Sequence, residues 1–236
     1  VLRCCRQIDA GNTGRFIKRG SGDMTHDRQQ LLDAIAQFRD LRALVVGDVM
    51  LDVYDFCSTA ESKPIDSEKP GKRAYKAHKS IKVLGGAGNV AANLAALGVH
   101  TSLIGMTGND DGSVKIKELA EALHLDSVLV RDSSRPTTTK MRLYVDDEYL
   151  LRRDEEAEHA VDHETSTRIV NAVLRRCPHC SVVILSDYDK GIFTQQNAQQ
   201  IIQACRRHSI PVIVDFKLPN RGYFSENDIA QLALRI

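Results

Sequence analysis

Two hydrophobic periods alternate along the chain, and together they predict a mixed α/β fold. Short apolar runs that are typical of buried strands lie at 44–47, 101–106, 127–130, 181–185 and 211–214. Stretches with apolar residues at helical spacing lie at 27–38, 112–123, 163–176 and 195–208. This order of elements is typical of a mostly parallel central sheet that is flanked by helices. The last residues, 218–236, show no clear strand.

The stretch 81–98 combines both periods. A β-rich run, Ile81–Leu84, meets Gly85 and Gly86, and an alanine-rich helix follows. Adjacent glycines let a ligand approach the backbone, and the free N–H groups of a first helical turn suit a hydroxyl-rich or anionic ligand. We therefore expect Gly85, Gly86 and Asn89 to contact a ligand. Close packing of the helix against a sheet is the alternative reason for these small residues.

A different pattern interrupts this rhythm between 137 and 153. Residues 137–145 alternate, Asp146-Asp147 forms a turn, and 148–153 run back, which predicts an antiparallel hairpin. We expect the hairpin to form a small β lid with the segment 53–84. The lysine-rich part of that segment, 58–82, is typical either of a flap over a phosphorylated substrate or of a solvated edge.

Residues 1–23 follow neither period, and we expect a disordered extension there. Met24 is a plausible biological start. The predicted folded domain therefore spans 24–236.

Acidic residues follow three of the predicted core strands. They are Asp48 and Asp52 after the first, Asp187 after 181–185, and Asp215 after 211–214, and Lys190 and Lys217 follow the last two. The carboxyl ends of parallel strands meet at one edge of a sheet, so a common cleft is predicted there. Strand alternation places Asp48 and Asp52 on the same side, facing that cleft. Capping of the following helices is the alternative role for each single acid.

Charge and composition limit the partners. The 236 residues carry 32 basic and 31 acidic side chains, which gives a net charge of +1. This balance offers no general attraction for nucleic acid or a membrane surface. Since we find neither a long apolar run nor the apolar core of a secretory signal, we expect a cytoplasmic protein.

The cysteines and histidines do not predict a redox or metal centre. We expect the six cysteines to be free thiols. The Cys177-Pro-His-Cys180 pair follows a helix and precedes a strand, where the helix dipole disfavours a thiolate. His159 and His163 have metal-ligand spacing on a predicted helix, but no third ligand follows, and we expect both to be solvent-exposed.

Several motifs match a known family in the same order. Residues 85–98, GGAGNVAANLAALG, resemble the first signature of the ribokinase (PfkB) family of carbohydrate kinases. The motifs at 47–52, 135–140, 150–154 and 185–191 are similar to one branch of this family. That branch phosphorylates O1 of D-glycero-D-manno-heptose 7-phosphate in ADP-heptose synthesis, for lipopolysaccharide, and is often fused to an adenylyltransferase. The resemblance covers about residues 30–217.

The resemblance implies a ribokinase-like fold, the cofactors ATP and Mg²⁺, and homodimerisation through the lid. It implies that sugar hydroxyls are held by Asp52, Gly85, Gly86 and Asn89, and that the substrate phosphate is bound by Arg142 and Arg152. It places Lys190 and Lys217 towards the transferred phosphates. Asp187 and Asp215 would line the same cleft, and magnesium is one way in which they would contact the phosphates.

The chain also departs from the family pattern. Neither the Asn-x-x-Glu magnesium motif nor the Gly-Ala-Gly-Asp loop with its catalytic base occurs, and Phe216 replaces a proline. We therefore expect a partial kinase domain that lacks its carboxyl-terminal third, with no catalytic residue assigned. A noncatalytic sugar-phosphate binder is the alternative. Residues 86–91 fit the G-x-G-x-x-A pattern of nicotinamide-dependent dehydrogenases. That function is disfavoured, because the next predicted strand does not end in the acidic residue that the pattern requires.

Overall fold

The computed structural model describes residues 24–65, 68–223 and 232–234. The chain divides into two units, 1–36 and 37–236. The first is described over one helix, α1 (Met24–Ala36). The disorder expected for residues 1–23 lies outside the described residues.

The larger unit alternates strands and helices along the chain. Its elements are β1 (Arg42–Gly47), β2 (Val49–Cys57), β3 (Lys63–Pro64), β4 (Arg73–Ala74), β5 (Ala77–Gly86), α2 (Ala87–Ala96), β6 (His100–Thr107), α3 (Asp111–Ala122), β7 (Asp126–Arg131), β8 (Thr139–Val145), β9 (Glu148–Glu155), α4 (His163–Arg176), β10 (Val182–Ser186), α5 (Gln195–Arg207), β11 (Val212–Asp215) and β12 (Leu232–Leu234). Short 3₁₀ turns follow several of them, including one at Leu218–Tyr223.

A six-stranded parallel sheet, in the order β12-β11-β10-β1-β6-β7, forms the centre of this unit. After the exposed Arg42, strand β1 is apolar and buried, because it is covered on both faces. Leu44 and Val46 belong to a core cluster with residues of α4 and α5, whereas Val45 packs with residues of α2 and α3. The predicted parallel α/β architecture is confirmed, but β12 was not predicted, since its pairing with β11 is not encoded locally.

A second sheet of four strands, in the order β5-β2-β8-β9, contains most of the segments predicted as a lid. Strand β2 follows β1 after a single residue, Asp48, and pairs antiparallel with β5 and parallel with β8. The hairpin β8–β9 turns at Asp146 and Asp147, whose φ angles of 49° and 66° fit a two-residue turn. Part of the lysine-rich segment pairs separately as β3 and β4.

The cysteines and histidines that were considered for redox or metal chemistry can be compared with their positions in the fold. All four cysteines in the described ranges, Cys57, Cys177, Cys180 and Cys205, are free, as predicted. His163 is the first residue of α4, so His159 precedes the helix and the prediction of a shared helix was wrong. Both histidines are exposed. Of the helices described, none combines the length and apolarity that a membrane crossing requires.

Candidate functional site at the carboxyl edge of the sheet

Three acidic residues follow three adjacent strands of the parallel sheet. Asp48, Asp187 and Asp215 stand at the ends of β1, β10 and β11. Their backbones are linked, because the Asp187 N–H donates to the Asp215 carbonyl at 2.8 Å and the Asp48 N–H to the Ser186 carbonyl at 3.1 Å. Helix α2 has Gly86 and helix α5 has Thr194 as its N-cap residue, so neither Asp48 nor Asp187 caps the first helix after its strand.

Asp48 is held by the backbone of the loop after β10. Its carboxylate accepts the N–H groups of Tyr188 at 2.8 Å, Lys190 at 3.2 Å and Ile192 at 3.4 Å. The side chain is 3% exposed, and this burial raises its pKa to about 6. The prediction that Asp48 and Asp52 face the cleft as a pair was therefore wrong for Asp48. The strand breaks at this residue, which turns its carboxylate into the protein.

Asp187 is also buried, and burial raises its pKa. Its carboxylate accepts the Asn220 amide at 2.6 Å and the Asp189 N–H at 2.8 Å. Sequence analysis missed Asn220, which also donates to Asp189 at 3.1 Å. Both carboxylate oxygens of Asp187 are thus occupied from within the fold.

Asp215 and Lys217 lie more openly at the same edge, and both are exposed. The Lys217 ammonium is 5.6 Å from the centre of the Tyr188 ring, within cation–π distance. Burial raises the pKa of the Tyr188 hydroxyl, and the charges of Asp215, Asp52 and Asp48 raise it further. Tyr188 therefore links the loop after β10 to Asp48 and Lys217 at this edge of the sheet.

The two glycines bring β5 against β1 and β2. Gly86 has a φ of 55° and a ψ of −132°, and a Cβ there would overlap the Asp48 carbonyl oxygen. A Cβ on Gly85 would overlap the Asp52 carboxylate. The Ala87 N–H, in the first turn of α2, already donates to the Asp48 carbonyl at 2.9 Å. The glycines thus allow close backbone packing as well as an approach to Asp52.

Asn89 is the third residue of α2 and is exposed. Its carbonyl accepts the Asn93 side-chain amide at 2.9 Å, and its own side-chain oxygen lies 3.4 Å from the same nitrogen. Its side chain lies in the first turn of the helix, where the free N–H groups favour a hydroxyl-rich or anionic ligand.

Asp52 and Arg142 form an ion pair of 2.7 Å across β2 and β8. The Arg142 guanidinium also lies 5.1 Å from the centre of the Tyr54 ring. Arg152 is the partner of Arg142 across β8 and β9, and its Nε is 2.8 Å from Asp154. The structure therefore brings Asp52, Arg142 and Arg152 to one face of the second sheet.

Lys190 is enclosed by acidic residues that the sequence analysis did not single out. Its ammonium lies 2.9 Å from Glu156 and 2.9 Å from Glu158. Glu156 also binds Lys140, at 3.0 Å. The acidic run that follows the hairpin was visible in the sequence, but its contact with a lysine more than thirty positions away was not.

The cleft therefore combines a carboxylate and arginines on the second sheet with acidic and lysine side chains on the loops of the parallel sheet. Such a set can bind a polyhydroxylated ligand that carries phosphate. Over the described residues, no group of three or more His, Cys, Asp or Glu side chains is arranged to hold a metal ion.

The fold is the ribokinase-like α/β type, with a small sheet beside the carboxyl edge of a parallel one. Residues 40–232 match the pfkB family carbohydrate kinase model, and the chain belongs to this family. It is 37% identical over 211 residues to the bifunctional protein HldE of Bradyrhizobium diazoefficiens, which covers 82% of this chain and 42% of that protein. HldE of Aeromonas hydrophila is 40% identical over 184 residues, and the match covers 78% of this chain and 37% of that protein.

Solved structures agree on the fold. Phosphofructokinase-2 from Escherichia coli in complex with substrates and products superposes with a TM-score of 0.56 and 17% identity, covering 75% of this chain and 54% of that one. The chain spans about two fifths of the length of the HldE relatives that it matches.

Proposed function

We propose that this chain forms part of an ATP-dependent sugar kinase, with D-glycero-D-manno-heptose 7-phosphate as the substrate and O1 as the acceptor. The observation that carries the proposal is the juxtaposition of Asp52, Gly85 and Arg142 on three neighbouring strands of the second sheet. The motifs at 47–52, 135–140, 150–154 and 185–191, which resemble the heptose branch of the family, favour a heptose over other sugars.

In this reaction a bond forms between O1 and the γ-phosphorus of ATP, the bond from that phosphorus to the bridging oxygen breaks, and ADP leaves. Magnesium, when bound with ATP, supplies charge neutralisation. Asp52 accepts hydrogen bonds from sugar hydroxyls, and the Gly85–Gly86 backbone lets the sugar approach. Arg142 and Arg152 bind the 7-phosphate through their planar guanidinium groups.

On the opposite side of the cleft, Lys190 and Lys217 neutralise the transferred phosphates. Asp187 and Asp215 shape the loops that carry these lysines, and the hydrogen bond between their backbones keeps the loops together. The base that accepts the O1 proton is not assigned to a residue of this chain. A noncatalytic sugar-phosphate binder uses the same residues without turnover, so binding and turnover are measured separately.

Asp52→Ala tests the sugar site. Loss of a hydroxyl acceptor is expected to weaken heptose 7-phosphate binding by about 1 to 3 kcal/mol, which is about fivefold to 150-fold. Calorimetric titration measures the affinity, beside an assay of ADP release with Mg²⁺ and ATP. Asp55→Ala is the matched control, since Asp55 lies on the same strand but accepts a hydrogen bond from the Ser80 hydroxyl, at 2.6 Å, instead of pairing with an arginine. Equal affinity in the wild type and Asp52→Ala, with an intact fold, would remove Asp52 from the site.

We also propose that two copies associate through the second sheet. Its strands carry several exposed apolar side chains, including Ile81, Val83 and Tyr149. Ile81→Glu is expected to weaken association at least about tenfold, because a charge would be buried in an apolar interface. Sedimentation velocity measures it, with Leu174→Glu on α4 as an exposed apolar control. A monomeric wild type at high concentration contradicts the proposal.

A further inference from the structure

Lys190 lies within a cage of two carboxylates. Its Nζ is 2.9 Å from Oε1 of Glu156 and 2.9 Å from Oε1 of Glu158, and its side chain is 13% exposed. These glutamates outweigh the opposing effect of burial and raise the pKa of Lys190. The ammonium is therefore charged, but two acidic groups already balance it.

The two glutamates differ in their surroundings. The Glu158 side chain is 71% exposed, whereas that of Glu156 is 20% exposed and uses both of its oxygens. The second oxygen of Glu156 lies 3.0 Å from Lys140, which also binds Asp154 at 2.9 Å. Glu156 thus joins strand β8 of the second sheet to the loop that follows β10.

The backbone of Lys190 is fixed independently of its side chain. Its N–H donates to Asp48 at 3.2 Å, and its carbonyl accepts from the Arg135 guanidinium at 2.9 Å. Arg135 is itself buried and bound to Asp132 at 2.7 Å. Because the backbone is held from both sides, only the side chain of Lys190 is able to change partners.

A phosphate that approaches Lys190 competes directly with Glu156. A partly buried carboxylate competes more strongly than an exposed one, because less solvent screens its charge. Glu156 also keeps a second cation, Lys140, as a partner when Lys190 moves away. Glu158 has no second partner among the ion pairs of the described residues.

We propose that Glu156 restrains the Lys190 ammonium by competing with a phosphate group of a ligand, and that Glu156 stays bound to Lys140 when the phosphate displaces it from Lys190. This proposal rests on the proposed sugar kinase function, because that reaction supplies the phosphates. It makes Glu156 the link between the second sheet and the phosphate side of the cleft.

Titration with pyrophosphate, in the full chain, tests the exchange. Glu156→Gln removes the competing charge and is expected to tighten pyrophosphate binding about fivefold. The matched control is Glu155→Gln, since Glu155 is adjacent in sequence and pairs instead with Arg153 at 2.7 Å. In a Lys190→Met background, Glu156→Gln is expected to give no gain, an outcome that a purely structural role of Glu156 does not produce.

Acetylation of Lys190 by acetic anhydride, followed by peptide mass spectrometry, gives a readout that does not depend on ligand binding. Glu156→Gln is expected to speed the modification of Lys190 about threefold or more. Lys190 then loses one of the two carboxylates that favour its charged form, and the neutral amine is the form that reacts. Glu155→Gln leaves it unchanged. An unchanged rate in Glu156→Gln, or an equal affinity gain in the Lys190→Met background, overturns the proposal. Faster labelling without pyrophosphate binding in any variant overturns the proposed function instead.

Discussion

Asp48→Ala is expected to lower the free energy of unfolding by about 3 kcal/mol and to loosen the loop after β10. The substitution leaves the N–H groups of Tyr188, Lys190 and Ile192 without their acceptor in a buried place. An unsatisfied buried donor costs about 1 to 3 kcal/mol, and part of this cost is relieved by relaxation of the loop. Urea unfolding measures the stability, and amide hydrogen exchange at residues 188, 190 and 192 measures the loop.

Asp48→Asn separates the hydrogen bonds from the charge. It keeps one acceptor oxygen and is expected to lose less stability than the alanine variant at pH 7. Equal losses in both variants, or unchanged exchange at the three amides, would contradict the role of Asp48 as the residue that holds this loop.

The charge of Asp48 also makes the free energy of unfolding depend on pH. Burial raises its pKa from the ordinary 3.8 to about 6 in the folded chain, so the folded state binds a proton more tightly than the unfolded state does. Stability from this group therefore rises as the pH falls from above 6 towards 4, by about 3 kcal/mol at most, and is lost as the pH rises. The difference in the free energy of unfolding between the wild type and Asp48→Asn is expected to change with pH in this way. A flat difference between pH 4 and 7 would contradict it.

Local signals predicted the elements of the fold well. Helix α4 begins and ends where the sequence pattern placed it, because Asp162 caps its start through the Thr165 N–H, at 2.7 Å, and apolar residues recur along one face. The acids after β1, β10 and β11 were predicted to meet, because parallel strands place their carboxyl ends together. This prediction needed only the parallel direction of the strands and the acidic residue that follows each of them.

Long-range pairings could not be predicted in the same way. The Asp52–Arg142 pair joins residues ninety positions apart, and the Glu156–Lys190 pair joins residues thirty-four apart. Alternation assigned Asp48 to the face of Asp52 because it assumed one continuous strand. The break between β1 and β2 depends on the loop that supplies three N–H donors, and that loop lies 140 positions later.

Gly86→Ala is expected to be among the most destabilising single substitutions in the described chain, with a loss of about 4 kcal/mol or more. The φ of 55° with a ψ of −132° is a conformation that residues with a Cβ rarely adopt, and the added methyl group would overlap the Asp48 carbonyl oxygen. That carbonyl cannot retreat freely, because it accepts the Ala87 N–H that begins α2. The start of the helix and the end of β5 must therefore move apart.

Gly98→Ala is the matched control for this substitution. Gly98 also has a positive φ, of 89°, but a Cβ there would meet no atom within 4 Å. The control carries the conformational cost alone, about 1 to 2 kcal/mol. Urea unfolding of both variants therefore isolates the overlap at Asp48. If the two lose the same stability, the close approach of β5 to Asp48 does not constrain this site, and Gly86 is open to a purely conformational explanation.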